Sequence, residues 1–348
     1  MSAWETNASI KEIADWLADK QRIVVLTHSR PDGDAVGSSL ATVRSLNRAT
    51  KTRRASVWYT GSTPWWLKEL AGDAPYHALE GHDNIDIEPD AIVVVDTGSW
   101  KQLEGLADFV RNRTAITTVI DHHLNGDPDM APRLHISKES AAAVQPVCQL
   151  ATELLHLECP RDLPTNIAEL IYAGLATDTG WFRHASVRPA VFRLAADLLD
   201  AGVDHAAIYA LVEQHDRASR LRAMAAALAT LELHDRDRIA TMELTREAIH
   251  AAGAGPADTG GFSELGLKIA SVRVSATLTE VETSKEDPAT KISMRSKAGS
   301  NMVNVNLVAQ ALGGGGHANA AGAKLPYTIQ ESKRRLLDAL EHATKATK

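Results

Sequence analysis

Four short segments carry side chains that bind cations: the run from Thr27 to Asp34, with His28, Asp32 and Asp34; Asp96; Asp121-His122-His123; and Asp178. The first three follow the apolar runs Ile23–Leu26, Val93-Val94-Val95 and Val119-Ile120, and the fourth ends a helix-like stretch. A carboxylate at a strand end is ordinary turn or cap chemistry when it stands alone, and a lone His28 reads as a satisfied loop histidine. Together the segments supply five carboxylates and three imidazoles. Carboxylates crowded together without a cation repel and raise one another's pKa. A divalent metal is the simplest physical resolution. Mixed carboxylate and imidazole without thiolate suits manganese, or another first-row divalent ion, better than structural zinc. Two such ions about 3.5–4 Å apart, sharing a carboxylate, polarise a phosphoryl oxygen and lower the pKa of a bridging water. The residues therefore predict metal-assisted phosphoester hydrolysis.

These groups must be positioned by the elements around them. Ile10–Leu17 is amphipathic and helical in period, and Val36–Asn47 reads as a second helix. Arg22–Thr27, Ser56–Thr60, Ala91–Val95 and Thr117–Ile120 read as strands. Apolar runs bounded by turns and separated by helices predict a parallel sheet with helices on both faces. Functional residues in such sheets gather at the carboxyl ends of strands, which is where the clusters fall. From Ala141 to about Leu233 the chain is rich in Ala and Leu and helical in period, and Ala218–Leu231 reads as a linker helix. Beyond Arg238 the texture changes. Ile239–Leu244, Ile269–Glu282 and Ile292–Arg295 are strand candidates. Ser284–Pro288 reads as a turn and Gly253–Gly261 as a loop. Val303–Leu312 is a helix running into Gly313–Gly316, and Ile329–Ala343 is a charged amphipathic helix. The expected fold class is α/β: an N-terminal parallel-sheet domain over 1–215, a helical linker over 216–235, and a smaller C-terminal α/β domain over 236–348.

With 348 residues, 44% hydrophobic and 23% charged, the chain has the composition of a folded globular protein, which excludes wholesale disorder. A formal net charge of −7 argues against coating long nucleic acid, whose binding rests on many Lys and Arg contacts to phosphate. A short phosphorylated substrate in one local site stays compatible. Cys148 and Cys159 fit no zinc or CxxC spacing. The first residues lack a signal-peptide pattern, and no apolar run approaches the ~20 residues of a membrane span. These features predict a cytoplasmic protein with no membrane partner.

The motifs carry a resemblance. The sequence resembles the DHH phosphoesterase superfamily, through Asp121-His122-His123 and the HxxPDGDxxGS signature from His28 to Ser38. The second half resembles the associated DHHA1 domain, through the glycine motif from Gly313 to Gly322. Together they look like the bacterial subfamily of nanoRNases, which includes 3′-phosphoadenosine-5′-phosphate phosphatases and cyclic-dinucleotide hydrolases. The resemblance implies two Mn2+ ions, with Mg2+ or Co2+ as alternatives. One would take His28 and Asp32, the other Asp34, His122 and Asp178, with Asp96 bridging. It implies catalytic roles for His123, either behind the metal ligands or touching the scissile phosphate, and for Asp121, which would orient His122. It implies substrate binding by Arg295, Gly314, Gly315, Gly316 and His317.

Successive glycines let backbone N–H groups approach an anion closely, although a glycine run is otherwise most often a linker. The local charge supports the anion: Lys268 to Lys324 carries seven Lys or Arg against four acids. Some positions depart from the family pattern. Gln102 stands where an Arg is usual, Leu124–Pro128 replaces Asn-x-x-Phe-Gly, and Ala142-Ala143 replaces a Ser-Thr pair. Trp181 is a candidate for base stacking, with core packing the plainer reading, and Trp65-Trp66 reads as a packed helix start. The expected activity is manganese-dependent hydrolysis of short RNA or DNA oligonucleotides to mononucleotides, with 3′-phosphoadenosine-5′-phosphate as a further substrate. The alternative is a phosphodiesterase for cyclic or linear di-AMP, and the non-enzymatic alternative is a nucleotide sensor. The expected partners are oligonucleotides or adenine nucleotides, and a second copy of the chain.

Overall fold

The computed structural model describes residues 3–50, 52, 54–79, 87–281, 287–299 and 301–345. It divides into two compact units, Met1–Gln214 and His215–Lys348. The proposed turn at 284–288 and the end of the Ile269–Glu282 strand lie partly outside the described residues.

The first unit is built on six strands: β1 (Arg22–Leu26), β2 (Arg54–Thr60), β3 (Tyr76–Leu79), β4 (Ala91–Val95), β5 (Thr117–Asp121) and β6 (Arg133–Ile136). They form one parallel sheet in the order β3-β2-β1-β4-β5-β6. Alternate side chains face opposite ways in a strand, so each strand feeds two cores. Ile23, Val25, Val57, Val93, Val95 and Ile120 pack on one face, and Val24, Leu26, Trp58, Ile92, Val94 and Val119 on the other. The runs are apolar throughout because both faces are covered.

The helices are α1 (Ile10–Leu17), α2 (Gly33–Ala49), α3 (Leu67–Ala71), α4 (Ala107–Arg111), α5 (Val144–Leu154), α6 (Thr165–Asp178), α7 (Pro189–Asp200) and α8 (His205–Glu213). α1 starts at a reciprocal cap: Ser9 Oγ accepts from Glu12 N–H, and Glu12 accepts from Ser9 N–H. α2 starts earlier than its apolar pattern suggests, because Asp32 caps it by accepting from the amides of Asp34 and Ala35, both at 3.1 Å.

Two helices that carry site residues, α2 and α6, cross with almost no space between backbones. A Cβ on Gly37 would lie 2.4 Å from the Leu170 carbonyl oxygen. A Cβ on Gly33 would lie 2.1 Å from Thr177 Oγ1. Alanine is the better helix former by about 1 kcal/mol, but forcing a methyl into a filled contact costs about 1–3 kcal/mol. The clash wins, since the atom met at Gly37 is backbone and cannot rotate away. Gly37→Ala is expected to lower the urea midpoint of the metal-stripped protein at unchanged slope. An unchanged or raised midpoint would contradict the close crossing.

The second unit contains α9 (Ala218–Ala229), α10 (Arg246–Ala251), α11 (Ser263–Gly266), α12 (Val305–Ala311) and α13 (Ile329–Lys345). Its strands are β7 (Glu232–His234), β8 (Ile239–Leu244), β9 (Val274–Glu280), β10 (Thr290–Ser296), β11 (Gly315–Gly316) and β12 (Ala320–Leu325). They form a mixed sheet in the order β11-β12-β10-β9-β8-β7, parallel only between β8 and β9. One face, with Val274, Ala276, Leu278, Ile292 and Met294, packs with Val305, Val308, Ile329 and Leu336 of α12 and α13. On the other face, Met242 and Leu244 pack with Phe262 and with Ala223 and Ala227 of α9. The helix read as a linker from sequence thus supplies core to the second unit. Among the described residues no helix is long and apolar enough to cross a membrane.

Candidate active site

The strand order of the first sheet reverses between β1 and β4, and such reversals leave a crevice at the strands' carboxyl ends. The loops there belong to β1, β4 and β5, and they carry His28 to Asp34, Asp96, and His122 with His123. Asp178 arrives from elsewhere, as the last residue of α6. The donor atoms fall into three overlapping groups, each with its atoms within 4.8 Å of one another: His28, Asp32 and Asp96; Asp34, His122 and Asp178; and Asp96, Asp121, His122 and His123.

Asp96 stands between the groups. Its Oδ2 is 3.6 Å from His28 Nε2, and its Oδ1 is 3.4 Å from His122 Nε2. His28 Nε2 also lies 3.8 Å from Asp32 Oδ1, and His122 Nε2 lies 3.8 Å from both Asp34 Oδ2 and Asp178 Oδ2. These separations exceed those of N–H···O hydrogen bonds. The donors converge on shared space without bonding one another. Asp96 holds this place with a left-handed backbone, φ 57°, a region Asp and Asn tolerate better than most residues.

Each imidazole is aimed by its other nitrogen. His28 Nδ1 lies 3.1 Å from the Ser29 carbonyl and His122 Nδ1 lies 3.3 Å from the Ser140 carbonyl. A carbonyl can only accept, so Nδ1 carries the hydrogen and Nε2 faces the carboxylates, as metal-bound histidines require. Asp121 is fully buried at the end of β5. Its Oδ1 accepts from His123 Nδ1 at 2.7 Å and from the backbone N–H of His122 at 2.7 Å. The sequence reading had Asp121 orienting His122. In the structure its ring partner is His123, and a backbone carbonyl orients the His122 ring.

Burial and the crowding of these groups shift their protonation. Burial opposes charging of His28, yet Asp32 and Asp96 outweigh it and push its pKa up to about 10. Burial likewise opposes charging of His122, and Asp96, Asp34 and Asp178 raise it to about 10. Asp34 is held well above the usual carboxylate range by burial and by Asp96 and Asp178. It stays in place because the amides of Ala143 and Val144, where α5 begins, donate to it at 2.5 and 3.0 Å. The His123 ring is raised by its bond to Asp121, against burial. Oxygen and imidazole donors gathered around Asp96 and His122, crowded enough to retain protons, fit divalent cations.

Several contributors carried no sequence signal. The amides of Ala143 and Val144 and the Ser140 carbonyl are backbone groups, which residue types do not reveal. Gln102 replaces the usual arginine and ties two site loops together. Its side chain accepts from Thr97 Oγ1 at 2.6 Å, and its carbonyl accepts from Ser29 N–H at 2.8 Å. Trp4 packs against Gly98 and Gly126, where a Cβ would lie 1.9 and 2.4 Å from the indole. Its Nε1–H donates to the His123 carbonyl at 3.0 Å. Trp181 packs against Tyr209 and donates to Glu213, the arrangement of a packed residue. Trp66 is buried, Trp65 is exposed, and Leu124 is 68% exposed beside the Asp-His-His segment.

The residues expected to bind substrate lie in the second unit. Arg295, Gly314, Gly315 and Gly316 line one depression of about 700 Å³. The glycines form an edge strand on β12 rather than a linker. A Cβ on Gly314 would lie 2.1 Å from the Gly322 carbonyl oxygen, so close strand packing already requires that glycine. His317 is exposed at the β11–β12 turn and is not part of this lining. Arg295 Nε lies 3.4 Å from Glu264 Oε1 on α11.

Comparison with known proteins agrees with this division. Residues 22–175 match the DHH family, N-terminal domain, and residues 241–346 match the DHHA1 domain. The chain is 30% identical to a bifunctional oligoribonuclease and PAP phosphatase, NrnA, of Thermus thermophilus, over 99% of this chain and 96% of that protein. It is 24% identical to a probable bifunctional oligoribonuclease and PAP phosphatase of Streptococcus mutans, over 89% and 91% of the two chains. A crystal structure of an exopolyphosphatase-related protein from Bacteroides fragilis superposes with a TM-score of 0.86 at 27% identity, covering 100% of this chain and 99% of that one. With both domains matched in order and a relative aligned along nearly the whole length, the chain belongs to the DHH family and carries a DHHA1 domain.

Proposed function

We propose that this protein is a two-metal phosphoester hydrolase that degrades short oligonucleotides to mononucleotides and also accepts 3′-phosphoadenosine-5′-phosphate. The observation that carries the reading is Asp96, whose two oxygens face His28 and His122, each within its own donor group. His28, Asp32 and Asp96 would hold one ion, and Asp34, His122, Asp178 and Asp96 the other. Bound there, divalent cations would supply Lewis acidity toward a phosphoryl oxygen and a water acidified to near neutral pH. Manganese is the metal we assign, since oxygen and imidazole donors suit it.

The chain's own side chains do the rest. Asp121 holds the His123 ring through Nδ1, leaving Nε2 to donate to a phosphate oxygen. The pairing raises the His123 pKa, which favours the charged form of the ring that a phosphate oxygen attracts. Arg295 and the Gly315 backbone would hold a second phosphate of the substrate. The relatives named as oligoribonucleases and PAP phosphatases over nearly the same length support this substrate class.

The deciding experiment is hydrolysis with manganese of 5′-labelled RNA from dimers to long oligomers, alongside 3′-phosphoadenosine-5′-phosphate and cyclic di-AMP. Preference for two- to five-mers supports the reading. Preference for cyclic di-AMP moves the protein to nucleotide signalling, and nucleotide binding without turnover makes it a sensor. Glu264 adds a finer check. It competes with phosphate for Arg295 as a half-exposed ion pair, worth about 0–1 kcal/mol. Glu264→Gln is expected to lower KM by about two- to fivefold at unchanged kcat, and Arg295→Gln to raise it. A Glu264→Gln enzyme with raised KM would show that the carboxylate positions Arg295 rather than competing for it.

A further inference from the structure

On one face of the second sheet, β10 presents Lys291, Ser293 and Arg295, alternating with the buried Thr290, Ile292, Met294 and Ser296. On β12 the matching face shows Ala320, Gly322 and Lys324. The antiparallel register sets Arg295 opposite Ala320, Ser293 opposite Gly322, and Lys291 directly opposite Lys324. All six line the same depression as the glycine strand. α9, α11 and Phe262 cover the neighbouring β8 part of this face, and they leave the β10–β12 part open.

The Lys291–Lys324 rung is unfavourable on its own terms. Like charges directly opposite in a sheet destabilise it. No described carboxylate forms an ion pair with either lysine, although Arg295 at the other end of the strip has Glu264. Lys291 and Arg295 lie four positions apart along β10, about 14 Å at ~3.4 Å per residue. The two ends of the strip are therefore too far apart to serve one phosphate. Between them the wall is only Ser293, Ala320 and Gly322, low enough for a chain to lie along the strands.

We propose that Lys291 and Lys324 form a second phosphate subsite, distinct from that of Arg295, which engages only substrates long enough to carry a further backbone phosphate. The subsite makes the strip a length gauge. A dinucleotide uses the Arg295 end alone, and a longer oligonucleotide uses both ends. The inference rests on the oligonucleotide reading above, and it concerns affinity for substrate rather than the chemical step.

The test uses the full chain as wild type, as Lys291→Gln/Lys324→Gln and as Lys324→Glu. The probes are 5′-labelled di-, tri- and tetraribonucleotides. Binding is measured by fluorescence anisotropy in EDTA, and kcat/KM with manganese over a salt series. In the double variant, dinucleotide binding is expected to stay within twofold and tetranucleotide binding to weaken about tenfold. The salt slope for the tetramer should fall by about 0.7, the value for one phosphate on a single strand. Lys324→Glu should raise the melting temperature, since it replaces repulsion with a cross-strand pair, while weakening tetramer binding further. Equal change at every length, or none, overturns the subsite. If wild type binds the ladder without hydrolysing it, the hydrolase reading fails while a length-dependent loss still upholds the subsite. If wild type binds none of the ladder, both fall.

Discussion

Asp96→Asn is expected to reduce kcat by about 10³-fold, above the 10–100-fold lost when a partner behind a metal ligand is removed. The carboxylate offers one oxygen toward each histidine. An amide keeps one oxygen and turns an NH2 donor toward the other group, so one of the two sites loses its shared ligand. Asparagine is the right replacement because it also tolerates the left-handed backbone that Asp96 adopts, which leaves the fold of the loop intact. Metal content by equilibrium dialysis should fall below two ions per chain. Two ions retained with full turnover would remove Asp96 from the bridging position. Asp121→Asn provides the scale, since its Oδ1 accepts from the His123 ring and the His122 backbone amide. Its loss should be the smaller and should appear in kcat with metal content unchanged.

The second large effect concerns stability, and its sign is opposite to that on activity. Asp178 ends α6, where the helix dipole disfavours negative charge. Burial raises its pKa, the charge of His122 opposes that rise, and Asp96 and Asp32 add to it, giving about 6. An acid whose pKa is higher in the folded than in the unfolded chain binds more protons when folded. Stability is therefore lost as pH rises from about 4 to about 6, and the full penalty remains at pH 7. Two units would be about 3 kcal/mol. The side chain is about a third exposed, which reduces the figure to roughly 1–2 kcal/mol.

Asp178→Asn should thus stabilise the metal-stripped protein, raising its melting temperature by about 2–8 °C at ~2–4 °C per kcal/mol for a unit of this size. At pH 4 the gain should vanish. Added manganese reverses the order, since wild type gains from binding and the variant has lost a donor. Calorimetry with EDTA and with manganese at both pH values shows whether the curves cross. A variant less stable than wild type in EDTA at pH 7 would mean that the carboxylate is satisfied without metal.

How much of this was legible beforehand depended on which atoms do the work. The central strands β1, β4 and β5 announced themselves because both faces are buried, which demands unbroken apolar runs. β3, Tyr-His-Ala-Leu, and β6, Arg-Leu-His-Ile, lie at the sheet edges and alternate with polar residues, so they gave no such run. β11 and β12 are made of Gly, Ala, Lys and Leu, which favour strands little, and only pairing along the whole edge makes them strands. At the site, side-chain donors were readable as residue types. The backbone amides that hold Asp34 and the carbonyls that aim His28 and His122 were not, because every residue carries those groups. The Ala142-Ala143 departure from the family pattern leaves Asp34 held, because the amides of Ala143 and Val144 donate to it and need no hydroxyl.

The placement of Trp4 has a consequence for how the chain is made. Its indole rests on Gly98 and Gly126 and bonds to the His123 carbonyl, a separation of 119 residues in sequence. Translation at about 5–20 residues per second produces Trp4 119 residues before His123, so its docking surface follows it from the ribosome. Until then the tryptophan is apolar surface without a partner, in reach of chaperones. The loop that follows the Asp-His-His segment gains its final support only when both ends of this long interval have met.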